Sequence, residues 1–456
     1  MTPPNGGPQR GPTAGGPLDR IRRGGASYLA HLRLFSRNVW LVLLASMGTG
    51  FAFGVFLFIF NFYVLSLGPS YNEAFLGTLT SAASFATIAM AIPSAWIAQR
   101  FPTKWVLVLG GIISVVSYLG IVLFPVREAL IFFRMLAGVA MSISAVAAAP
   151  FLMANTGAAD RQWAFSFQAG LSTVASFFGN LLAGILPGRM AVIFGVGAMD
   201  TVAYQSSLAS MVVVSTLALV PLLFIGRSSS AAVDVELPWT QLRRYWRMFA
   251  IILLPSLLIG LGAGLMQPFM NVYFRNVYQK PDAAIGIVFA LGGLAMAVGQ
   301  FIGPPLADRM GKIRAVMLTQ ALSIPFLMTL GIGAWLVTAG AARAEVFFVL
   351  AGIAYIFRLA LMNLSNPIYS TFILERVPEQ AQALSISLTN LVFQVGWFVM
   401  PQVSGRLQVS HGPSGFAYVF AGVTGFYVAA ILVEKWFFGG DARAERQLRA
   451  AEGVVA

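Results

Sequence analysis

Twelve apolar runs, approximately 39–65, 73–98, 104–125, 129–154, 164–188, 200–225, 247–275, 284–307, 314–338, 345–372, 383–406 and 414–433, fill most of this chain. Each is long enough to cross a bilayer, because about 20 helical residues span a hydrocarbon core of roughly 30 Å. A chain patterned this way folds as an all-α polytopic membrane protein. The charge content agrees: 10% of the 456 residues are charged and 58% are hydrophobic, against about a quarter charged in soluble domains. Disordered, collagen-like and nucleic-acid-binding chains are excluded on the same ground. The formal net charge of +13 comes from basic residues in the segments between runs, where it reports topology and not a nucleic-acid partner.

Those segments set the orientation. With the N-terminus inside, the tails and inner loops hold 21 of the 29 Lys and Arg, the outer loops six, and the spans two. By the positive-inside rule both termini are expected to be cytoplasmic. The organisation read from the pattern is a Pro/Gly-rich and then basic tail over 1–37, six runs over 38–226, a polar central loop over 227–246, six runs over 247–433, and a tail over 434–456. Within the first tail, Arg20, Arg22, Arg23, Arg33 and Arg37 alternate with apolar residues, as in a segment resting on anionic headgroups. The run that follows is too long for a cleavable signal. Zero Cys excludes disulfides, thiolate metal sites and cysteine nucleophiles, and the two histidines, His31 and His411, lie outside the runs. No metal and no cofactor is expected.

The two halves repeat each other. Gly50, Gly54, Asn61 and Tyr63 match Gly260, Gly264, Asn271 and Tyr273 at a constant offset of 210. Ile97-Ala98-Gln99-Arg100 matches Leu306-Ala307-Asp308-Arg309 at 209. Parallel six-span repeats joined by a long central loop are how two-bundle transporters are built.

At the inner end of the eighth run stands Pro304-Pro305-Leu306-Ala307-Asp308-Arg309-Met310-Gly311-Lys312. It resembles the loop signature of the major facilitator superfamily, G-x-L-x-D-R-x-G-R/K-R/K. Leu306, Asp308, Arg309, Gly311 and Lys312 fit, whereas Pro304 stands at the first glycine and Ile313 at the final basic position. The N-terminal copy keeps Arg100 but has Gln99 for the acid and Pro102 for the glycine. Arg134 and Gly138 in run 4 fit the softer R-x-x-x-G pattern of the same superfamily, while run 5 lacks the signature of its drug/proton antiporters. The resemblance implies two pseudo-symmetric six-helix bundles that open alternately, with Asp308, Arg309, Gly311, Lys312 and Arg100 acting in an inner latch. Asp308 is then expected to accept hydrogen bonds from a helix N-terminus or to pair with an arginine.

Ionisable groups inside a span usually mark a pathway or a structural pair. Arg134 reads either as a structural donor to neighbouring carbonyls or as a control on a nearby acid. Arg358 lies near the middle of run 10, and Tyr355, Arg358, Ser365, Asn366 and Tyr369 fall within roughly 100° of helical arc, the pattern of a cavity lining. The other reading of Arg358 is a bond to helices of its own bundle. In run 11, Ser387, Asn390, Gln394, Trp397 and Pro401 form a second polar face, fit either for solute contact or for interhelical glue. Asn61 and Asn271, repeated near the outer ends of runs 1 and 7, suggest a shared hinge or gate. Gln267 breaks that symmetry, since Leu57 occupies the matching place, and so reads as a solute contact.

No acid is expected inside a span: Glu73, Glu128, Asp200, Asp282 and Glu345 fall at outer ends, and Asp308, Glu375, Glu379 and Glu434 at inner ones. That favours facilitated diffusion or exchange over proton symport. The expected function is transport of a small organic solute across the inner membrane by a monomer. An anion is favoured, because a lone midplane guanidinium would be satisfied by a carboxylate or phosphate. Efflux or flipping of amphipathic compounds is the second reading. A polytopic enzyme, the third, would need clustered acids or histidines at one interface, which the pattern does not offer.

Overall fold

The computed structural model describes residues 35–157, 161–226 and 239–451, so most of the N-terminal tail and the middle of the central loop lie outside the described residues. We number the helices in chain order: α1 (Arg37–Ser66), α2 (Glu73–Ala89), α3 (Ala91–Arg100), α4 (Thr103–Leu123), α5 (Arg127–Asn155), α6 (Arg161–Phe194), α7 (Thr201–Leu223), α8 (Trp239–Met266), α9 (Met270–Tyr278), α10 (Asp282–Met310), α11 (Lys312–Thr338), α12 (Ala344–Arg376), α13 (Glu379–His411) and α14 (Gly415–Ala451). No strand occurs among the described residues. Side chains mark several starts: Ser36, Asn72 and Asp200 each accept a hydrogen bond from a backbone N–H in the first turn of α1, α2 and α7.

Two of the sequence runs are broken helices. α2 and α3 meet at a bend of 47°, next to Pro93, which lacks the N–H needed to continue the ladder. α8 and α9 are separated by one 3₁₀ turn, Gln267–Phe269, centred on Pro268. The matching stretch of α1 has Phe58 in place of that proline and stays helical. Ten described segments are long and apolar enough to cross a membrane, or eleven with the bent α2–α3 pair taken as one. The longest, Leu384–Gly440, has 57 residues, roughly 85 Å of helix at 1.5 Å per residue and so too long for one crossing. It divides at Gly412, where the chain turns with φ +59. α13 packs on α2 through Phe398 and Phe85, and α14 on α12 through Phe438 and Phe372. The arrangement is compatible with the twelve crossings of the sequence pattern. α14 continues past the expected tail boundary at 434 and remains helical to Ala451.

Each half repeats one packing plan. α1 packs on α6 and α7, α2 on α5, and α4 on α5 and α7; in the second half α8 packs on α13 and α14, α10 on α12, and α11 on α12 and α14. The halves meet where α2 crosses α13 and α10 crosses α6. Glycine makes both crossings close. A Cβ on Gly77 would meet Gln402 Cα at 3.1 Å, and one on Gly286 would meet Gly184 Cα at 2.9 Å.

The apolar core shows how the halves sit. One large cluster joins residues of both halves, including Phe58, Phe62, Leu76 and Tyr204 with Phe269, Phe274, Phe289 and Phe416. Two smaller clusters do not cross: one, around Val39, Phe151 and Leu222, belongs to the first half alone, and another, around Phe249, Ile313 and Phe372, to the second. The shared cluster lies toward the end bearing Ser66, Asp282 and His411, here called the closed end. The separate clusters lie toward the opposite, motif end, which carries Arg100, Gly311 and Val377. Among the described residues the two halves therefore share an apolar core at one end and keep separate ones at the other.

Candidate solute pathway and gate

The closed end is held by an asparagine clasp that repeats the sequence symmetry. Asn61 Nδ2 donates to Pro268 O at 2.6 Å and to Asn271 Oδ1 at 2.8 Å. Asn271 Nδ2 donates to Phe58 O at 2.7 Å. Residues 58 and 61 stand 210 positions before 268 and 271, so each asparagine reaches across to the carbonyl three residues before its counterpart. Both asparagines are buried. The tyrosines of the repeat serve their own halves: Tyr63 OH donates to Ile121 O at 3.2 Å and Tyr273 OH to Leu330 O at 2.9 Å.

Outside the clasp a second set of contacts crosses the halves. Arg275 pairs with Asp282, donates to Tyr204 OH at 2.6 Å and lies over the Phe62 ring at 3.2 Å from its centroid. Tyr204 OH donates to Asp282 Oδ2 at 3.0 Å. Asn276 Nδ2 donates to Glu73 Oε1 at 3.0 Å. Neither the run pattern nor the loop signature singles out Arg275. The available signal was that Glu73 and Asp282 occupy matching places at an offset of 209, each at the start of the helix that crosses the other half.

The motif end carries no comparable seal among the described residues. Gly311 ends α10 with φ +91, a conformation costly for any residue with a Cβ, and its N–H bonds Ala307 O at 2.9 Å. Lys312 pairs with Glu375 of its own half. Asp308 and Arg309 are exposed and make no hydrogen bond or ion pair among the described residues. Arg100 is exposed, with its guanidinium 5.5 Å from the centroid of Trp96. The partners expected for Asp308 are not engaged among the described residues.

The stripe expected on α12 divides. Of its members only Asn366 is exposed, next to Asn363 and Ser370 outside the stripe, while Ser365 is buried; a polar face on a membrane helix belongs against water and not lipid. Tyr355, Arg358 and Tyr369 instead point into the second bundle. Tyr355 packs on Phe289 with centroids 5.3 Å apart. Tyr369 OH donates to Ile252 O at 2.8 Å. Arg358 is fully buried, with Nη2 donating to Tyr427 OH at 2.6 Å, while Nε and Nη1 have no hydrogen-bond partner. An arc of 100° straddles the boundary between the exposed side and the packed side of α12, so one stripe faces two environments.

On α13, Trp397 touches Gly264 of α8 while Phe398 and Pro401 touch α2. Gln394 shares that central face by helical spacing, and Asn390 lies one turn nearer the motif end, exposed. Trp397 Nε1 is buried without an acceptor. Gln267 sits half-buried in the 3₁₀ turn beside the clasp. In the first bundle Arg134 is partly exposed, its guanidinium 4.8 Å from the Phe60 centroid and 5.2 Å from that of Phe56, with Nε unpartnered.

One expectation is overturned: an acid does lie inside a bundle. Glu434, expected at an inner end, is fully buried and accepts a hydrogen bond from Gln320 Nε2 of α11 at 3.1 Å. The apolar run ends at Val433, but the helix does not.

The model of the Major Facilitator Superfamily matches residues 42–401. The chain belongs to that superfamily. It is a multi-pass membrane transporter and not an enzyme. Among solved structures it is similar to the nucleoside transporter NupG (15% identity, 88% of this chain and 99% of that one covered, TM-score 0.71). It is also similar to a D-xylose-proton symporter (14% identity, 87% and 96% covered, TM-score 0.68). A third likeness is to a bacterial homologue of the human lysosomal transporter Spinster in an inward-facing and unoccupied conformation (15% identity, 90% and 97% covered, TM-score 0.65). At these identities the likeness is one of fold. No curated protein matches the sequence.

Proposed function

We propose that this transporter moves a small, polar organic solute across the inner membrane by alternating access, and that the structure is its inward-open state. The observation that carries the reading is the divided core: one apolar cluster spans both halves at the closed end, and each half keeps its own at the motif end. The concentration of Lys and Arg around the motif end supports placing that end, with both termini, in the cytoplasm. The chain acts as a monomer in this reading, because the pathway lies between its own halves. Polar groups on the central faces are mainly neutral: Asn366, Asn390, Gln394 and Gln267, with the unpartnered Trp397 Nε1. Amides and an indole donor suit a solute rich in hydroxyl or amide groups.

An anionic solute at Arg358 is the second reading, favoured by the two guanidinium nitrogens that lack partners. It requires α12 to turn or Tyr427 to give way, since Arg358 is fully buried in this state. Thermal unfolding of the purified protein against neutral polyols, nucleosides, organic anions and lipophilic cations separates the readings. A solute at about 100 times its Kd adds about 2.7 kcal/mol of stability. Stabilisation by neutral polar solutes that Gln394→Ala abolishes and Arg358→Gln preserves is the expected result. Stabilisation by anions alone, lost in Arg358→Gln, establishes the second reading. Stabilisation by lipophilic cations alone makes the protein an efflux carrier instead.

A further inference from the structure

Glu434 is held where no ion-pair partner for a carboxylate is found among the described residues. It is fully buried between α14, α11 and α12. Phe438, one turn further along α14, packs against Phe372 at 5.1 Å, which closes the site toward the motif end. The groups that face it are few. α11 presents Gln320; α12 presents Tyr369, whose hydroxyl is committed to Ile252 O and to Ser256 of α8. On α14 itself the neighbouring Lys435 is exposed. No lysine or arginine forms an ion pair with Glu434 among the described residues.

Two orphaned oxygens complete the picture. Gln320 Nε2 donates to Glu434 Oε1, yet Glu434 Oε2 and Gln320 Oε1 are both buried without a hydrogen-bond partner. Both are acceptors when the glutamate is ionised, so neither can satisfy the other. A proton on Oε2 changes that: the carboxylic acid becomes a donor, and the amide oxygen beside it is an acceptor. One proton therefore removes an unbalanced buried charge and pairs two polar atoms that would otherwise both be unmet.

We propose that Glu434 and Gln320 form a proton-binding site within the second bundle, in which the uncharged acid and the amide are joined by two hydrogen bonds in a ring. The site is independent of the proposed solute and stands whichever solute the transporter carries. It gives the second bundle a group whose ionisation places a lone charge between α11 and α14, so that alkaline conditions loosen the packing of those two helices.

The test is the infrared absorption of the full-length protein with carbon-13-labelled glutamate, reconstituted in lipid, compared with Glu434→Gln. At neutral pH the wild type should show the carbonyl band of a protonated buried carboxylic acid, displaced by the label and absent from the variant. Glu434→Gln, which copies the protonated form, should melt within a few degrees of the wild type at neutral pH. As pH rises, the melting temperature of the wild type should fall relative to that of the variant until the folded site ionises, because the folded chain holds a proton that the unfolded chain has released. A wild type with only ionised glutamate bands at neutral pH overturns the proposal, as do parallel melting curves for the two proteins. Should the variant fail to fold, the isotope-displaced band of the wild type decides alone.

Discussion

Arg358 and Glu434 are both fully buried in the second bundle, and no ion pair joins them. Arg358 has Tyr427 OH as its one hydrogen-bond partner among the described residues. A buried charge held this way costs stability, and replacement by an apolar side chain of similar length is often neutral or stabilising, by about 1–4 kcal/mol for a full ion pair or triad. Arg358→Met is expected to raise the melting temperature, while Tyr427→Phe, which strips the guanidinium of its partner, should cost about 1.5–3 kcal/mol. Melting curves of the two variants in one detergent check both signs. Arg358 was legible in the sequence because a charge in the middle of an apolar run stands out. Glu434 was not, because it follows Val433, the last residue of its run, and hydropathy cannot say whether a helix stays inside the bundle for another turn. The same limit split the α12 stripe: spacing shows which residues share an arc, not which neighbour that arc meets.

The elements that matter most are the broken helix α8–α9 and the two crossing pairs. After the 3₁₀ turn the Val272 N–H bonds Asn271 Oδ1, which leaves Pro268 O for Asn61, and the unbroken α1 returns the bond through Phe58 O to Asn271. Asn61→Ala removes two hydrogen bonds and leaves Pro268 O without its donor, a cost of about 1–3 kcal/mol to the closed end, which is roughly a five- to 150-fold shift toward opening there. The double change with Asn271→Ala should cost less than the sum of the singles, since both report on one clasp. Labelling rates of a cysteine placed at Asn72 measure that opening in a chain with no native Cys. The glycine crossings give the converse: Gly286→Leu drives a side chain into Gly184 and should hold the closed end open, with faster labelling at the same site. The repeat at offset 210 makes the asparagines and tyrosines legible as pairs in the sequence itself. Their roles diverge because asparagine is short enough to bond the facing helix and tyrosine long enough to reach past its own helix to the next.

At the scale of the molecule the separate clusters at the motif end and the joined cluster at the closed end fit one of the two states in the proposed alternating-access cycle. The fold class, the two halves and the loop signature were readable from run lengths and repeats. The conformation was not, since run lengths and repeats do not say which contacts between the halves are made. The most direct test is a pair of distances measured by electron paramagnetic resonance on spin-labelled cysteines. Met199→Cys with Val409→Cys reports the closed end, and Phe101→Cys with Glu379→Cys the motif end; all four positions are exposed. Alternating access predicts two populations at each end that shift in opposite directions, short at one end when long at the other, as a stabilising solute is added. A single unchanging distance at both ends, with solute transported all the same, would contradict it.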